Sequence, residues 1–431
     1  MYYNVFLYFY KERAMLIEFR VKNFYSIQDE QVFSLVASSQ KQHQNNTFEV
    51  KNEKLKLLKS VAIYGANAAG KSNFIKAFSE MKNLVMTSAT FIQRGQELPL
   101  TPFLLGQNEN EPIEFEVSFI TQNVRYKYGF SATKDRVFGE WLFAYPNGRI
   151  QQWFLRTYDE KTQEYTYEDR NLTGEKKLWE KSTRENALFL STAIQLNSEQ
   201  LKPIFDWFLG LNISRNFGEF ENSLDITIDI FQKQPKELVN YLKAVDLDIE
   251  NLKIEKQDFE PEVPLNVPKE IRETIKQNNK ITRFRIQTTH INQQGNPIDF
   301  NINLESDGTQ KFFKFLGPVL NTLKNGRILI IDELHNHLHP AMTRFIIELF
   351  HNDKINTKNA QLIFTTHETS VLNKDIFRKD QIYFCEKQNK ATKIYSMSDF
   401  KGLRENIDYE KSYLLGRFGA LPRLKSIKGL R

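Results

Sequence analysis

Eight consecutive residues limit this chain more than any others: Gly65, Ala66, Asn67, Ala68, Ala69, Gly70, Lys71 and Ser72 spell G-x-x-x-x-G-K-[ST]. The apolar run Val61–Tyr64 leads into them, and the pattern from Ser72 to Met86 is helical. The motif therefore lies between a buried strand and a helix, the setting it requires. There the loop amides can ring a phosphate chain, Lys71 can neutralise its β/γ oxygens, and Ser72 can offer its hydroxyl to magnesium. Asn73, next on the helix, is counted with the loop.

A strand feeding such a loop needs a sheet around it. Ile328–Ile331 and Gln361–Thr365 read as further buried strands, and Thr309–Leu323 and Pro340–His351 as helices, which predicts a mostly parallel core sheet with covering helices. Met15–Lys22 alternates as a half-buried strand does, and Phe33–Val36 extends that sheet. The segments FEVSFI, RYKYGFSA and WLFAY, between Glu114 and Tyr145, predict an antiparallel layer. From Asn186 to Leu209 the pattern is helical. Glu237–Asn278 is charged and broken by Pro261, Pro264 and Pro268, which predicts an inserted helical subdomain without a sustained heptad repeat. Ile281–Leu304 returns to strands around a turn at Gln294–Pro297. The expected division is an extension at 1–14, the first part of the core domain at 15–210, a helical insertion at 211–280 and the rest of the core domain at 281–431.

Composition narrows the class. At 431 residues, with 40% hydrophobic residues, 35 Phe and 26% charged residues, the chain is long enough for a core domain with an insertion and too apolar for disorder. The first fourteen residues put apolar residues before charges, the reverse of a secretory signal, and are too short to span a bilayer, so no membrane is implied. The single cysteine, Cys385, excludes an intrachain disulfide and fits a reducing cytoplasm. A net charge of +6 is small for this length, and its densest cluster, Arg417–Arg431, reads either as a solvated tail or as a phosphate or partner contact.

Three further elements carry chemistry. RILIIDE (327–333) is a buried strand delivering Asp332 and Glu333 to its C-terminal end, where ligands gather in open parallel sheets. Asp332 is placed to hold magnesium through water, and Glu333 to polarise an attacking water. Leu304–Gln310 precedes a helix; its Ser306 hydroxyl and Gly308 amide suit a γ-phosphate on another subunit, while Ser306, Asp307 or Thr309 would equally suit a helix cap. His367, in FTTHE, lies 34 residues after Glu333, room for one helix and one strand that would return it beside the carboxylates.

In this order these four elements resemble the ABC ATPases of the SMC and recombination-repair type, in which two nucleotide domains sandwich ATP. Together with MLIEFRVKNFYSI, NALFLSTAIQLNS, ESDGTQK, DELHNHLHP, QLIFTTHE, DQIYFCEK and YLLGRFGALP, the chain is similar to the RloA-like family of bacterial ABC-type ATPases of restriction-linked and anti-phage loci, from Met15 to about Pro422. The resemblance implies an α/β fold of the P-loop ABC type with a mostly parallel core sheet, an antiparallel β layer and an inserted helical subdomain. It implies ATP and Mg2+ as cofactors, with Gly65, Asn67, Gly70, Lys71 and Ser72 as phosphate loop and Asp332 and Glu333 as metal and water-activating pair. His367 becomes the switch histidine and catalytic with Glu333 and Lys71, Ser306 and Gly308 the signature completing a partner's site, and Gln195, after an apolar strand-like run, the candidate loop glutamine that reaches magnesium. Where a second glycine is usual, the signature carries Asp307, which adds a carboxylate and is expected to slow cross-subunit hydrolysis. His335, His337 and His339 would share a face on an extended strand and could hold zinc; the segment is instead expected to turn toward the dimer interface, and no fourth ligand is evident.

The leading expectation is a cytoplasmic ATPase whose ATP-driven dimerisation, as homodimer or higher homo-oligomer, switches a separate effector, a nuclease by expectation, in anti-phage defence. About 64 residues follow His367, too few for a fused nuclease domain. An ATP-regulated DNA-binding protein of the repair type is the second reading, and a transporter motor subunit the third.

Overall fold

The computed structural model describes residues 13–51, 53–106, 110–214, 223–245, 247–259, 268, 281–336, 338–403 and 407–422. The chain divides into two compact units, Met1–Phe220 with Val319–Arg431, and Glu221–Pro318.

The first unit opens with β1 (Ala14–Lys22), one residue ahead of the predicted start, and β2 (Gln31–Ser34). A short hairpin, β3 (Thr47–Glu49) and β4 (Lys56–Leu58), leads to β5 (Ser60–Tyr64) and, past the glycine loop, to α1 (Lys71–Thr87). A meander follows: β6 (Ile113–Thr121), β7 (Val124–Ala132), β8 (Val137–Tyr145), β9 (Gln151–Asp159) and β10 (Glu164–Glu168). It joins β1 and β2 in a seven-stranded antiparallel sheet ordered β10-β9-β8-β7-β6-β1-β2. The alternation that predicted this layer is its burial pattern: Ile113, Phe115, Val117 and Phe119 are buried while Glu114, Glu116 and Ser118 are half-exposed. Three short helices, α2 (Lys176–Ser182), α3 (Phe189–Gln195) and α4 (Lys202–Leu209), then lead to β11 (Asn212–Ser214).

The second unit holds α5 (Ser223–Lys233), α6 (Pro235–Ala244) and a three-stranded antiparallel sheet of β12 (Asn251–Phe259), β13 (Ile281–Ile291) and β14 (Pro297–Asn301). The start of α7 (Asp307–Asn325) belongs to it. Asn251–Phe259 falls in the charged stretch read from sequence as helical. It is a strand because its nine residues pair in register with Ile281–Thr289, a long-range partner that local propensity does not reveal.

Back in the first unit come β15 (Ile328–Ile331), α8 (Pro340–His351), β16 (Gln361–Thr366), the hairpin β17 (Ile382–Gln388) and β18 (Ala391–Ser396), and α9 (Tyr409–Leu414). The core sheet runs β11-β15-β16-β5-β17-β18, parallel except for its last pair. Every residue of β5, β15 and β16 is buried, as strands covered on both faces must be. Helix α1 links the sheets: Phe78 stacks on Phe19 of β1 with centroids 3.7 Å apart, and Phe74 meets Phe33 of β2 edge-on at 5.3 Å. The buried Gln361 side chain joins them again, accepting from the Leu16 amide at 2.7 Å and donating to the Leu16 and Leu58 carbonyls at 3.1 Å. It satisfies strand groups where the β1–β6 register slips. Among the described residues no helix is long and apolar enough to cross a membrane.

Behind the antiparallel sheet, Glu140 is fully buried. It accepts from the Phe189 and Leu190 amides at the start of α3 and from Tyr128 Oη, and Arg156 lies 3.8 Å away. Glu140→Leu would leave two amides without an acceptor and the buried Arg156 guanidinium, still bonded to the Ala187 and Arg184 carbonyls, without its carboxylate; urea unfolding is expected to show a loss of about 3–5 kcal/mol.

Candidate functional site

The loop between β5 and α1 is shaped by what lies beneath it. A Cβ at Gly65 would sit 2.2 Å from the Cys385 carbonyl oxygen, and one at Gly70, whose φ is +110°, 2.0 Å from Thr392 Oγ1. Both neighbours belong to the β17–β18 hairpin, so only glycine lets the loop lie against it. The hairpin also bonds the loop: Thr392 Oγ1 donates to the Ala69 carbonyl at 2.9 Å and accepts from Ser26 Oγ at 2.8 Å, and Asn73 Nδ2 donates to Ser26 Oγ at 2.8 Å. Ala68 takes a left-handed backbone, φ 61°. Ala66, inside the loop, donates its amide to the Ala420 carbonyl at 2.9 Å, docking the YLLGRFGALP segment on the motif.

Lys71 is 7% exposed and donates from Nζ to the Gly65 and Ala66 carbonyls at 2.7 and 3.1 Å. Burial pulls its ammonium below the ordinary lysine range, and the Asp332 and Glu333 carboxylates oppose that shift. Asn67, Ala68 and Ser72 are exposed. Lys71 and Ser72 open α1, so their amides have no intrahelical acceptor and stand at the positive end of the helix.

Strand β15 ends one residue before Asp332, which is 6% exposed and continues the ladder by donating its amide to Ser214 of β11 at 2.9 Å. Thr365, in the adjacent β16, organises both acids. Its hydroxyl donates to Asp332 Oδ1 and accepts from the Glu333 amide at 2.8 Å, while its carbonyl accepts from the Leu334 amide at 3.1 Å. Held between these bonds, Glu333 adopts φ +55°, a strained backbone for a long side chain. Nothing in the sequence reading pointed to Thr365; a polar residue closing an apolar strand was its only signal.

The chain then turns, with the Asn336 amide donating to the Glu333 carbonyl at 3.0 Å and that of Leu338 to the His335 carbonyl at 3.0 Å. This turn separates His335 from His339, which an extended strand would have aligned. His335 Nε2 lies 3.0 Å from His367 Nε2, whereas His339 caps α8 by accepting from the Ala341 amide at 3.2 Å. His337 lies outside the described residues, among which no cluster of three or more His, Cys, Asp or Glu could hold a metal ion. Burial, then the neighbouring His367, pushes the His335 imidazole down to about 4.

The loop, both carboxylates and His367 thus converge at the C-terminal ends of the adjacent strands β5, β16 and β15. Beside the loop, on the side of His367 and the C-terminal segment, opens a cavity of about 760 Å³ lined by Gly65, Ala66, Asn67, His367, Tyr413 and Leu421 among others. A loop of amides, a buried lysine, an exposed serine hydroxyl and a buried aspartate suit a phosphate chain carrying a divalent cation. Gln195 is exposed at the end of α3, a helix within the stretch 186–209 whose pattern is helical, so the apolar run before it is not a strand, and no described hydrogen bond joins it to the loop or to Asp332. Ser306 and Gly308 belong to the second unit; the Ser306 hydroxyl accepts from the Thr309 amide at 3.1 Å, the N-cap bond of α7.

Strain at Glu333 gives a direct test. Glu333→Gly would relieve the left-handed backbone and is expected to raise stability to urea by about 1 kcal/mol; a fall would mean that the conformation carries no strain.

The solved SMC head domain from Thermotoga maritima is similar over 88% of this chain and 98% of that chain, at 14% identity and a TM-score of 0.38. That likeness carries no residue assignment. No curated protein matches the chain. The family described as "AAA domain, putative AbiEii toxin, Type IV TA system" matches residues 60–373, from the strand that feeds the loop to beyond His367. The chain belongs to this AAA-domain family of P-loop ATPases.

Proposed function

We propose that the protein binds and hydrolyses ATP with Mg2+ and works as a dimerising switch in bacterial defence against phage, controlling a separate effector. The observation that carries this reading is the meeting of the Lys71 loop with Asp332, Glu333 and His367, residues more than 250 positions apart in sequence, at one end of the core sheet. The resemblance to the RloA-like ATPases and the toxin–antitoxin system in the family's description support the defence setting.

In this reading the amides around Gly70, Lys71 and Ser72 hold the phosphates. Ser72 and Asp332 would hold magnesium, with Gln195 a further candidate ligand, and the chemistry supplied there would be screening of the phosphate charge. Glu333 takes a proton from the attacking water, and His367 contacts the γ-phosphate. Asp332, anchored by Thr365, is pre-positioned for this, and the strained Glu333 backbone sets its carboxylate where the chain turns out of the sheet. Each nucleotide is gripped by one copy's loop and the other's Ser306–Gly308 segment at the start of α7, so ATP joins two copies and hydrolysis frees them.

The alternative, an ATP-regulated DNA-binding protein, has its sequence support in the basic stretch Arg417–Arg431, of which 423–431 lie outside the described residues. DNA binding that strengthens with ATP and weakens steeply with salt would favour it.

Two variants test the proposal. Lys71→Ala should weaken ATP binding on the order of 100-fold, the loss of charge-assisted hydrogen bonds worth about 3 kcal/mol, read by calorimetry. Glu333→Gln should keep ATP, lose turnover and elute as a dimer in MgATP by size exclusion with light scattering. Unchanged affinity in the first or full turnover in the second would remove the site assignment.

A further inference from the structure

His335 has no part in the proposed chemistry, yet among the described residues it makes the polar side-chain contact to His367. The two rings stand 3.9 Å apart between centroids at 68°, with Nε2 facing Nε2 at 3.0 Å. A contact of that length between two imidazole nitrogens holds one proton, so one ring donates and the other accepts. Which ring donates is settled on the far side of His335, whose Nδ1 lies 3.0 Å from Thr366 Oγ1.

Thr366 is buried, and its hydroxyl oxygen already accepts from the Glu368 amide at 3.0 Å. Its own proton needs an acceptor, and His335 Nδ1 is the one the described bonds provide. A neutral imidazole that accepts at Nδ1 carries its hydrogen on Nε2, and that hydrogen points at His367. The His335 ring is kept neutral by burial and by His367. His367 Nε2 then accepts, and the hydrogen of His367 resides on Nδ1. The relay runs from the Glu368 amide through Thr366 and His335 to His367, anchored at the end of the same strand, β16, that carries the Thr365 support of Asp332.

We propose that His335 is a positioning residue: it holds the exposed His367 ring in place and fixes its tautomer, with the hydrogen on Nδ1. This rests on the reading of His367 as the group beside the γ-phosphate, although the tautomer assignment stands without it. His335 itself touches no reacting atom; it acts through His367, as groups behind a functional imidazole do when they choose which nitrogen carries the proton.

The test uses the full chain with 15N-labelled histidine, whose long-range proton–nitrogen correlations report the tautomer of each ring without need of turnover. The wild type should show His335 with its hydrogen on Nε2 and His367 with its hydrogen on Nδ1. In His335→Ala, His367 should shift toward the Nε2–H form that a free imidazole favours. His335→Gln, whose amide can still donate to His367, should retain the Nδ1–H form and serves if the alanine variant does not fold. His335 protonated on Nδ1, or a His367 signal indifferent to His335→Ala, overturns the proposal. In turnover, His335→Ala should lower kcat about tenfold, the size of one lost hydrogen bond, with KM within about twofold. His335→Gln should recover most of that loss, and the His335→Ala/His367→Ala double variant should be no slower than His367→Ala alone. Independent, multiplying effects would overturn the positioning role. Wild-type protein with the expected tautomers and no ATPase activity would defeat the functional reading alone.

Discussion

The structure depends on keeping a lysine ammonium charged while nearly all its surface is removed from water. Lys71 is held by two carbonyls of its own loop and faced by Asp332 and Glu333. That compensation requires β5 and β15 to end at the same edge with only β16 between them. Parallel strands meeting at one end need crossovers over both faces, which in turn demand strands buried on both sides. The order of the core sheet and the fully apolar character of its central strands thus serve the same electrostatic requirement.

The supports around this centre are mostly backbone and short polar side chains. Thr365 serves Asp332, Glu333 and Leu334 at once, Thr392 and Ser26 underpin Gly70, and Ala420 takes the Ala66 amide. Short side chains lose little rotamer freedom when fixed, so they can hold a loop within tenths of an ångström at small entropic expense. The C-terminal segment takes part through the same bonds. Tyr413 Oη donates to the Ala420 carbonyl at 3.1 Å and Glu386 accepts from the Ala420 amide at 3.1 Å, tying the docked turn to β17.

Much of this was legible in the chain because it rests on local chemistry. Ile328–Ile331, Pro340–His351 and Gln361–Thr366 form the elements their periodicity predicted, and the alternation across Ile113–Thr121 is the burial of a sheet with one wet face. Legibility fell where partners are distant in sequence. Asn251–Phe259 is a strand only because β13 pairs with it, and although Phe189–Gln195 is helical as its pattern predicted, no nearby residue reveals that its first amides are held by Glu140, about 50 residues earlier. The alternate histidines suggested a shared face only on an extended chain, and the left-handed Glu333 bends it away.

By itself the sequence determined the loop, its two obligatory glycines, the acid pair at a strand end and the kinds of layer that enclose them, because each follows from residue type and spacing over a few positions. Only the tertiary structure decided which strand lies between Lys71 and Asp332, that Thr365 joins the two acids, and that His335 rather than a carboxylate stands against His367. Those contacts join residues some 30 to 300 positions apart, and their geometry is set by strand order and register, which no short window of sequence encodes.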